Sequence, residues 1–172
     1  MILITAFEPF GGKTWNASNM VLDLLKIEAD KILLPVSIEQ SNQRIEGLDV
    51  STYDFIIMLG EANRDYLSLE MKAYNEIDMR IPDNQGLQLK NQKIDQGYTF
   101  ITPINLDNFI KPGVVISDDP GRYLCNYAYY QMSKKHPRVL FIHVSANKDL
   151  VEVQTKFIEE IIHEIKTVSI TR

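Results

Sequence analysis

Five short apolar runs, separated by segments of helical periodicity, constrain this chain more than any other feature. They are MILITAF at the start, then KILLPVS, YDFIIMLG, VVIS and RVLFIHVS. Near-continuous apolar runs of this length mark strands buried on both faces, as in sheets covered by helices. Helical patterns fall between them. The first spans Ala17 to about Ile27, capped from Asn16 to Ser18, with Met20, Val21, Leu24 and Leu25 on one face. A polar-rich helix runs from about Ile38 to Gly47, and another follows Gly121, where no Gly or Pro recurs until Pro137. A closing amphipathic helix covers about Asp149 to Ile165 and turns Val151, Ile158, Ile161, Ile162 and Ile165 inward. Strand, helix, strand, helix, strand predicts the α/β class. The expected architecture is a single domain over 1–172, a three-layer α/β/α sandwich with a mostly parallel, mixed central sheet.

From Glu61 onward the pattern changes. YLSLEMKAYN alternates partly with period two and reads as a strand, whereas IPDNQG and QLKNQKIDQG carry dense turn chemistry, with a small hairpin expected near Leu87 to Ile94. YTFITPINLDNFIKPG leaves room for only a short helix before Pro112 and Gly113. Long excursions inside a compact domain usually serve function. In open α/β sheets ligands bind beyond the carboxyl ends of the strands. There the sequence places the FEPFGG loop, the Glu61 loop, Cys125 after VVIS, and His143 near the end of RVLFIHVS.

Composition removes several classes. The chain has 172 residues, 45% hydrophobic and 24% charged, with a net charge of -5 and no basic patch, so no nucleic-acid partner is expected. No apolar stretch approaches the ~18 residues of a membrane span. One cysteine cannot form an internal disulfide, and Met1 opens directly on a strand-like run, so the cytoplasm is the expected compartment. No GxGxxG or complete GxxxxGK[ST] follows the first strand, and HExxH, CxxC and GxSxG are absent, so neither cofactor nor metal is expected.

The chemistry centres on Cys125, the only cysteine, set in the first turns of the helix after Pro120 and Gly121. Free N–H groups and the helix dipole favour a thiolate there. A cysteine nucleophile needs a base, and the base needs an orienting partner. Of three histidines, His136 beside Pro137 and His163 in the final helix read as solvated, leaving His143. Glu61, Glu70, Asp78 and Asp83 are candidates for the third member. Glu70 differs in lying between Leu69 and Met71, where a buried carboxylate would require a partner. The same residues admit a structural reading, with a small buried thiol, a hydrogen-bonded strand histidine and surface ion pairs.

Four blocks carry a family resemblance. They are FEPFGG with Asn16 and Ser18; LGEA with Arg64, Glu70, Ala73, Asn75, Asp78 and RIPDN; GRYLCN; and FIHV. In this order they resemble the pyroglutamyl peptidases, or pyrrolidone-carboxylate peptidases, a group of cytosolic cysteine peptidases. The resemblance implies a phosphorylase/hydrolase-like fold and cofactor-free hydrolysis of an N-terminal pyroglutamyl residue from peptides. Cys125 would be the nucleophile, His143 the general base and acid, and Glu70 the residue orienting the histidine. Arg80 matches a family arginine near the active site and would join the Cys125 backbone N–H at the oxyanion. Pyroglutamate is a neutral lactam and asks for a mostly apolar pocket. Phe7 and Phe10 would supply aromatic walls, with Asn16 and Glu61 also at the substrate. The expected partners are a peptide with N-terminal pyroglutamate, or a related small amide, and further copies of the chain in a homo-oligomer. Family members are longer, near ~200 residues, and the difference concentrates in Ile104 to Gly113, where they carry a helix. A second reading is a family member redirected to binding or scaffolding, resting on Pro120, on Glu61 in place of a family glutamine, and on the short 104–113 region.

Overall fold

A computed structural model describes residues 1–170, with side chains through 167. In chain order the strands are β1 (Ile2–Phe7), β2 (Asp30–Leu34), β3 (Phe55–Ala62), β4 (Leu67–Glu70), β5 (Lys72–Ala73), β6 (Phe100–Ile101), β7 (Val114–Ser117) and β8 (Val139–Ser145). The helices are α1 (Ala17–Leu24), α2 (Ile38–Glu46), α3 (Leu124–Lys135) and α4 (Val151–Ile170). Each of the five apolar runs contains a strand of one six-stranded sheet, ordered β2-β1-β3-β8-β4-β7. The first four strands in that order run parallel, β4 is antiparallel to β8, and β7 is parallel to β4. The sheet is thus the mostly parallel, mixed sheet expected. β5 and β6 pair separately as a small antiparallel ribbon.

Strand alternation sorts the side chains into two cores. Ile2, Ile4, Phe55, Ile57, Leu140 and Ile142 pack with α1 and α4, whereas Leu3, Ile56, Met58, Val139 and Phe141 pack with α2 and α3. Helices on both faces complete the three layers. All five inward positions named for the closing helix are buried, at 5% exposure or less. On the α2/α3 face the strand positions toward the carboxyl end of β8 turn polar or vacant. His143 is flanked in register by Gly60 on β3 and Ser68 on β4, and Glu70 lies two residues beyond Ser68 on the same face.

Several expectations are corrected. α1 ends at Leu24, which is 46% exposed, and its buried stripe is Ser18, Val21, Leu22 and then Leu25. Packing on both the sheet and α4 turns the helix away from the face read from its sequence. β3 continues past Gly60 to Ala62 because pairing with β8 persists to Ala62 and Ser145. No hairpin forms at Leu87 to Ile94. This segment bonds back to an earlier one, through Met79 N–H to the Leu89 carbonyl and an antiparallel bridge of Ile77 with Gln92. Asn75 Oδ1 accepts the N–H groups of Ile94 and Asp95, which fixes the far end of the excursion. His136 is buried rather than solvated, because Nδ1 accepts the Arg138 N–H and Nε2 lies 3.1 Å from the Tyr53 carbonyl oxygen. The 104–113 segment carries one 3-10 turn, Asp107–Phe109, yet Leu106 and Phe109 are buried in the α1/α4 core.

Candidate active site

The start of α3 is built by a clamped turn. Gly121 has φ +78, a conformation that favours glycine, and its N–H bonds Asp119 Oδ1 at 3.0 Å. Arg122 ties the turn down through Asp119 and Glu76, both at 2.8 Å, and stacks over the Tyr74 ring at 3.7 Å. Its charge therefore points into this clamp. Asn126, fully buried, takes the Tyr74 N–H and donates to the carbonyls of Tyr74 and Glu76. Extended Tyr123 is the N-cap but makes no side-chain cap bond. The first-turn N–H groups of Leu124 and Cys125 have no intrahelical acceptor and remain available to an anion.

The thiol and the imidazole meet through a glycine. Gly60 is the register partner of His143, and a Cβ built on it would stand 2.9 Å from Cys125 Sγ and 2.6 Å from Phe141 Cζ. The sulfur thus lies over the α-carbon of the residue beside His143. The His143 ring packs on Phe141 with centroids 4.8 Å apart, and its Nδ1 lies 2.8 Å from Glu70 Oε1. Glu70 is fully buried. Its Oε1 also accepts from Ser68 Oγ at 3.0 Å and lies 3.6 Å from Arg64 Nη1, while Oε2 has no partner. A carboxylate on Nδ1 holds the proton there and leaves Nε2 free to accept one.

One cavity of about 700 Å³ is lined by Phe7, Phe10, Asn16, Glu61, Arg80, Cys125 and His143. The expected site residues therefore share a single space, with Glu70 behind His143. Their surroundings differ. Phe7 is 2% exposed and packs toward Phe141 at 6.4 Å, so it belongs mainly to the core, whereas Phe10 lies half-buried against Tyr123 at 6.1 Å. Asn16 is the N-cap of α1, accepting the Ser18 N–H at 2.9 Å and the Ser18 hydroxyl at 2.7 Å, and donating to the Glu8 carbonyl. Glu61 uses both oxygens, one paired with Lys13 and the other accepting the Ala17 N–H at 2.6 Å. It thereby bolts the FEPFGG loop and the α1 N-terminus to β3. Arg80 is exposed at the cavity wall and forms no ion pair among the described residues. Among the described residues no three His, Cys, Asp or Glu side chains converge as metal ligands would.

Burial pushes the Cys125 thiol up to about 12, the carboxylates of Glu70 and Glu61 add to this, and Arg64 opposes it. The thiolate expected from the helix dipole is overridden by desolvation and by two nearby negative charges. A thiolate alone is disfavoured here, so ionisation requires that the proton stay in the site as a counter-charge.

Two contributors were given no role from the sequence, Ser68 and Arg64, the second of which stood there only within a motif block. Ser68 was discoverable, since LSLE places it on the same strand face as Glu70. Arg64 was not, because its reach to Ser68 depends on how the turn between β3 and β4 folds back. Asp78 and Tyr123 also line the cavity.

The three layers set a cysteine at the start of α3 beside a histidine within β8 and a glutamate at the end of β4, the residue types of a cysteine hydrolase. The chain belongs to the pyroglutamyl peptidase family, whose family model matches residues 1–156. It is 34% identical over 165 residues to the pyrrolidone-carboxylate peptidase of Pyrococcus furiosus, covering 83% of this chain and 79% of that one. The solved pyrrolidone carboxyl peptidase of Thermococcus litoralis superposes with a TM-score of 0.87 at 27% identity, covering 99% of this chain and 96% of that one. The enzyme from Thermus thermophilus gives 0.83 at 31% identity, covering 92% and 97%.

Proposed function

We propose that this chain hydrolyses the amide bond following an N-terminal pyroglutamyl residue, with Cys125 as nucleophile, His143 as general base and acid, and Glu70 orienting the histidine. The observation that carries the assignment is the 2.8 Å contact of His143 Nδ1 with buried Glu70, on the strand position beside which Cys125 Sγ sits. Family membership supports the substrate class. The half-buried ring of Phe10 and the side of Tyr123 offer apolar surface for a neutral lactam, and Arg80 and the free first-turn N–H groups offer donors.

In this mechanism Sγ attacks the scissile carbonyl carbon as its proton passes to His143 Nε2, which never exposes a lone thiolate to the two carboxylates. The carbonyl oxygen gains the negative charge and accepts from the Cys125 N–H, with Arg80 approaching from the wall. Collapse breaks the C–N bond, and His143 gives its proton to the departing amine. Water then adds to the thioester, delivering a proton to Nε2. The C–S bond breaks, pyroglutamate leaves and the proton returns to sulfur.

Location in the cytoplasm, resting on a single unpaired cysteine, is part of the same proposal. Self-association is proposed as well, at the outer edge of the sheet, where Val115 on β7 and Ile110 just before it are exposed. Among the described residues no helix is long and apolar enough to cross a membrane. The decisive experiment is release of a chromophore from a pyroglutamyl amide by the purified protein under reducing conditions. Turnover is expected, with loss in Cys125→Ser. A folded, reduced protein without turnover would favour the binding or scaffold reading.

A further inference from the structure

We propose that Arg64 and Ser68 form a relay that partly neutralises Glu70 and so sets the pH at which His143 can accept the proton of Cys125. The inference rests on the proposed triad. Both are positioning residues, since they act on the reaction through Glu70.

Hydrogen-bond direction within the relay is fixed. Arg64 Nη1 donates to Ser68 Oγ at 2.9 Å, because a guanidinium has no acceptor. Ser68 then has its one proton for Glu70 Oε1 at 3.0 Å. The same oxygen faces His143 Nδ1 at 2.8 Å and lies 3.6 Å from Arg64 itself. Every polar contact of this carboxylate therefore falls on one oxygen, shared between the imidazole and the arm from Arg64. Ser68 and Glu70 are fully buried, where charges act on each other with little screening. A buried carboxylate also needs a compensating cation, and Arg64 is the one in contact with it.

The charged and titratable groups around His143 come from several elements. Glu70 on β4 touches its Nδ1, and the cavity wall adds Cys125 on α3 with Tyr123 at its cap, Glu61 on β3, Arg64 on the turn between β3 and β4, Asp78 and Arg80 after β5, and Asp119 and Arg122 before α3. Glu70 is the carboxylate in contact with the ring, and a full negative charge at that distance favours an imidazolium. An imidazolium cannot take the thiol proton. Arg64 and Ser68 draw charge from Glu70, lowering the pH at which free imidazole becomes available. Arg64 also lines the cavity and has 25% of its side chain exposed, so the relay runs from the pocket wall to the strand histidine.

The test compares wild type with Arg64→Met, Arg64→Lys, Ser68→Ala and the Arg64→Met/Ser68→Ala pair. Two readouts are taken: the pH dependence of kcat/KM on a pyroglutamyl amide, and an NMR titration of the His143 ring. In Arg64→Met the acid limb is expected to move up by about half a unit to one unit, with kcat at neutral pH down about 3- to 10-fold and KM within about twofold. Ser68→Ala moves the limb the same way. The pair moves it no further than Arg64→Met, because one relay is cut twice. Arg64→Lys, which keeps the charge on a partly exposed side chain, recovers at least half of the shift. Activity lost with the limb and the His143 titration unmoved would overturn the relay. If wild type has no turnover the triad reading fails, and the NMR titration still decides the relay. If wild type turns over and the variants match it at every pH, only the relay fails.

Discussion

Gly60 on β3 and His143 on β8 face each other in a parallel register, and the side chain that Gly60 lacks is the space taken by Cys125 Sγ and the Phe141 ring. A glycine in a central strand ordinarily weakens it. Here it permits a helix-borne sulfur to approach a strand-borne imidazole. In Gly60→Ala the new methyl would lie 2.6–2.9 Å from Phe141 and Sγ, and both must move. Thermal unfolding should reveal a loss of about 1–3 kcal/mol from overpacking. Turnover should fall by at least about 100-fold through misplacement of the nucleophile.

Glu70 can be tested by its charge alone. Glu70→Gln preserves the shape of the buried side chain but removes the negative charge facing Nδ1. Turnover on a pyroglutamyl amide is expected to drop by about 10²–10⁴-fold with little change in KM, as for loss of an orienting carboxylate in a hydrolytic triad. Glu70→Ala additionally leaves Ser68 Oγ and His143 Nδ1 without their acceptor. Denaturant unfolding should then register a further cost of about 1–3 kcal/mol. Equal turnover in Glu70→Gln and wild type would remove Glu70 from the triad.

The thiol makes a prediction about alkaline pH. In the unfolded chain a cysteine ionises near ~8.5, whereas in the folded protein burial and the two carboxylates push Cys125 up to about 12. The folded state keeps a proton that the unfolded state has lost, so this group's contribution to stability falls as pH rises from about 8.5 toward about 12. Denaturant midpoints measured over the lower part of that window should decline in wild type and decline less in Cys125→Ser. Alkylation tests the partner. In His143→Gln no acceptor retains the proton, and the alkylation rate should climb about tenfold per pH unit up to at least pH 10 without a plateau.

The wall formed by Glu61 and Lys13 anchors the FEPFGG loop to β3 and the start of α1. Glu61→Gln keeps an oxygen for the Ala17 N–H and gives up the ion pair. The loop that carries Phe10 loosens, and KM for a pyroglutamyl amide should rise by about 2- to 5-fold with kcat changed less. A drop in kcat with KM constant would instead place Glu61 in contact with the reacting atoms.

Much of this was legible in the sequence, and the limits have physical causes. The apolar runs were long enough to define the strands because both faces of the sheet are covered. Cys125 and His143 stood out as a lone thiol and a strand-end imidazole, and Glu70 as a charge between apolar neighbours. His136 misled because the residues that bury it, Tyr53 and Arg138, lie on other segments or beyond the helix end. The hairpin expected at Leu87 to Ile94 failed because its turn chemistry serves bonds to Asn75, Ile77 and Met79. The stripe of α1 was misread because two surfaces, the sheet and α4, compete for one short helix. Local pattern also set the helix dipole in favour of a thiolate at Cys125, while Glu61 and Glu70 arrive there only in three dimensions.

The most direct test of the central claim is the intact mass of acid-quenched protein after mixing with an activated pyroglutamyl ester, followed by mapping of the modified peptide. The thioester route predicts one pyroglutamyl group per chain, on the peptide containing Cys125, and none in Cys125→Ser. Turnover of the same ester with Cys125 unmodified at every time point, or undiminished turnover by Cys125→Ser, would contradict it.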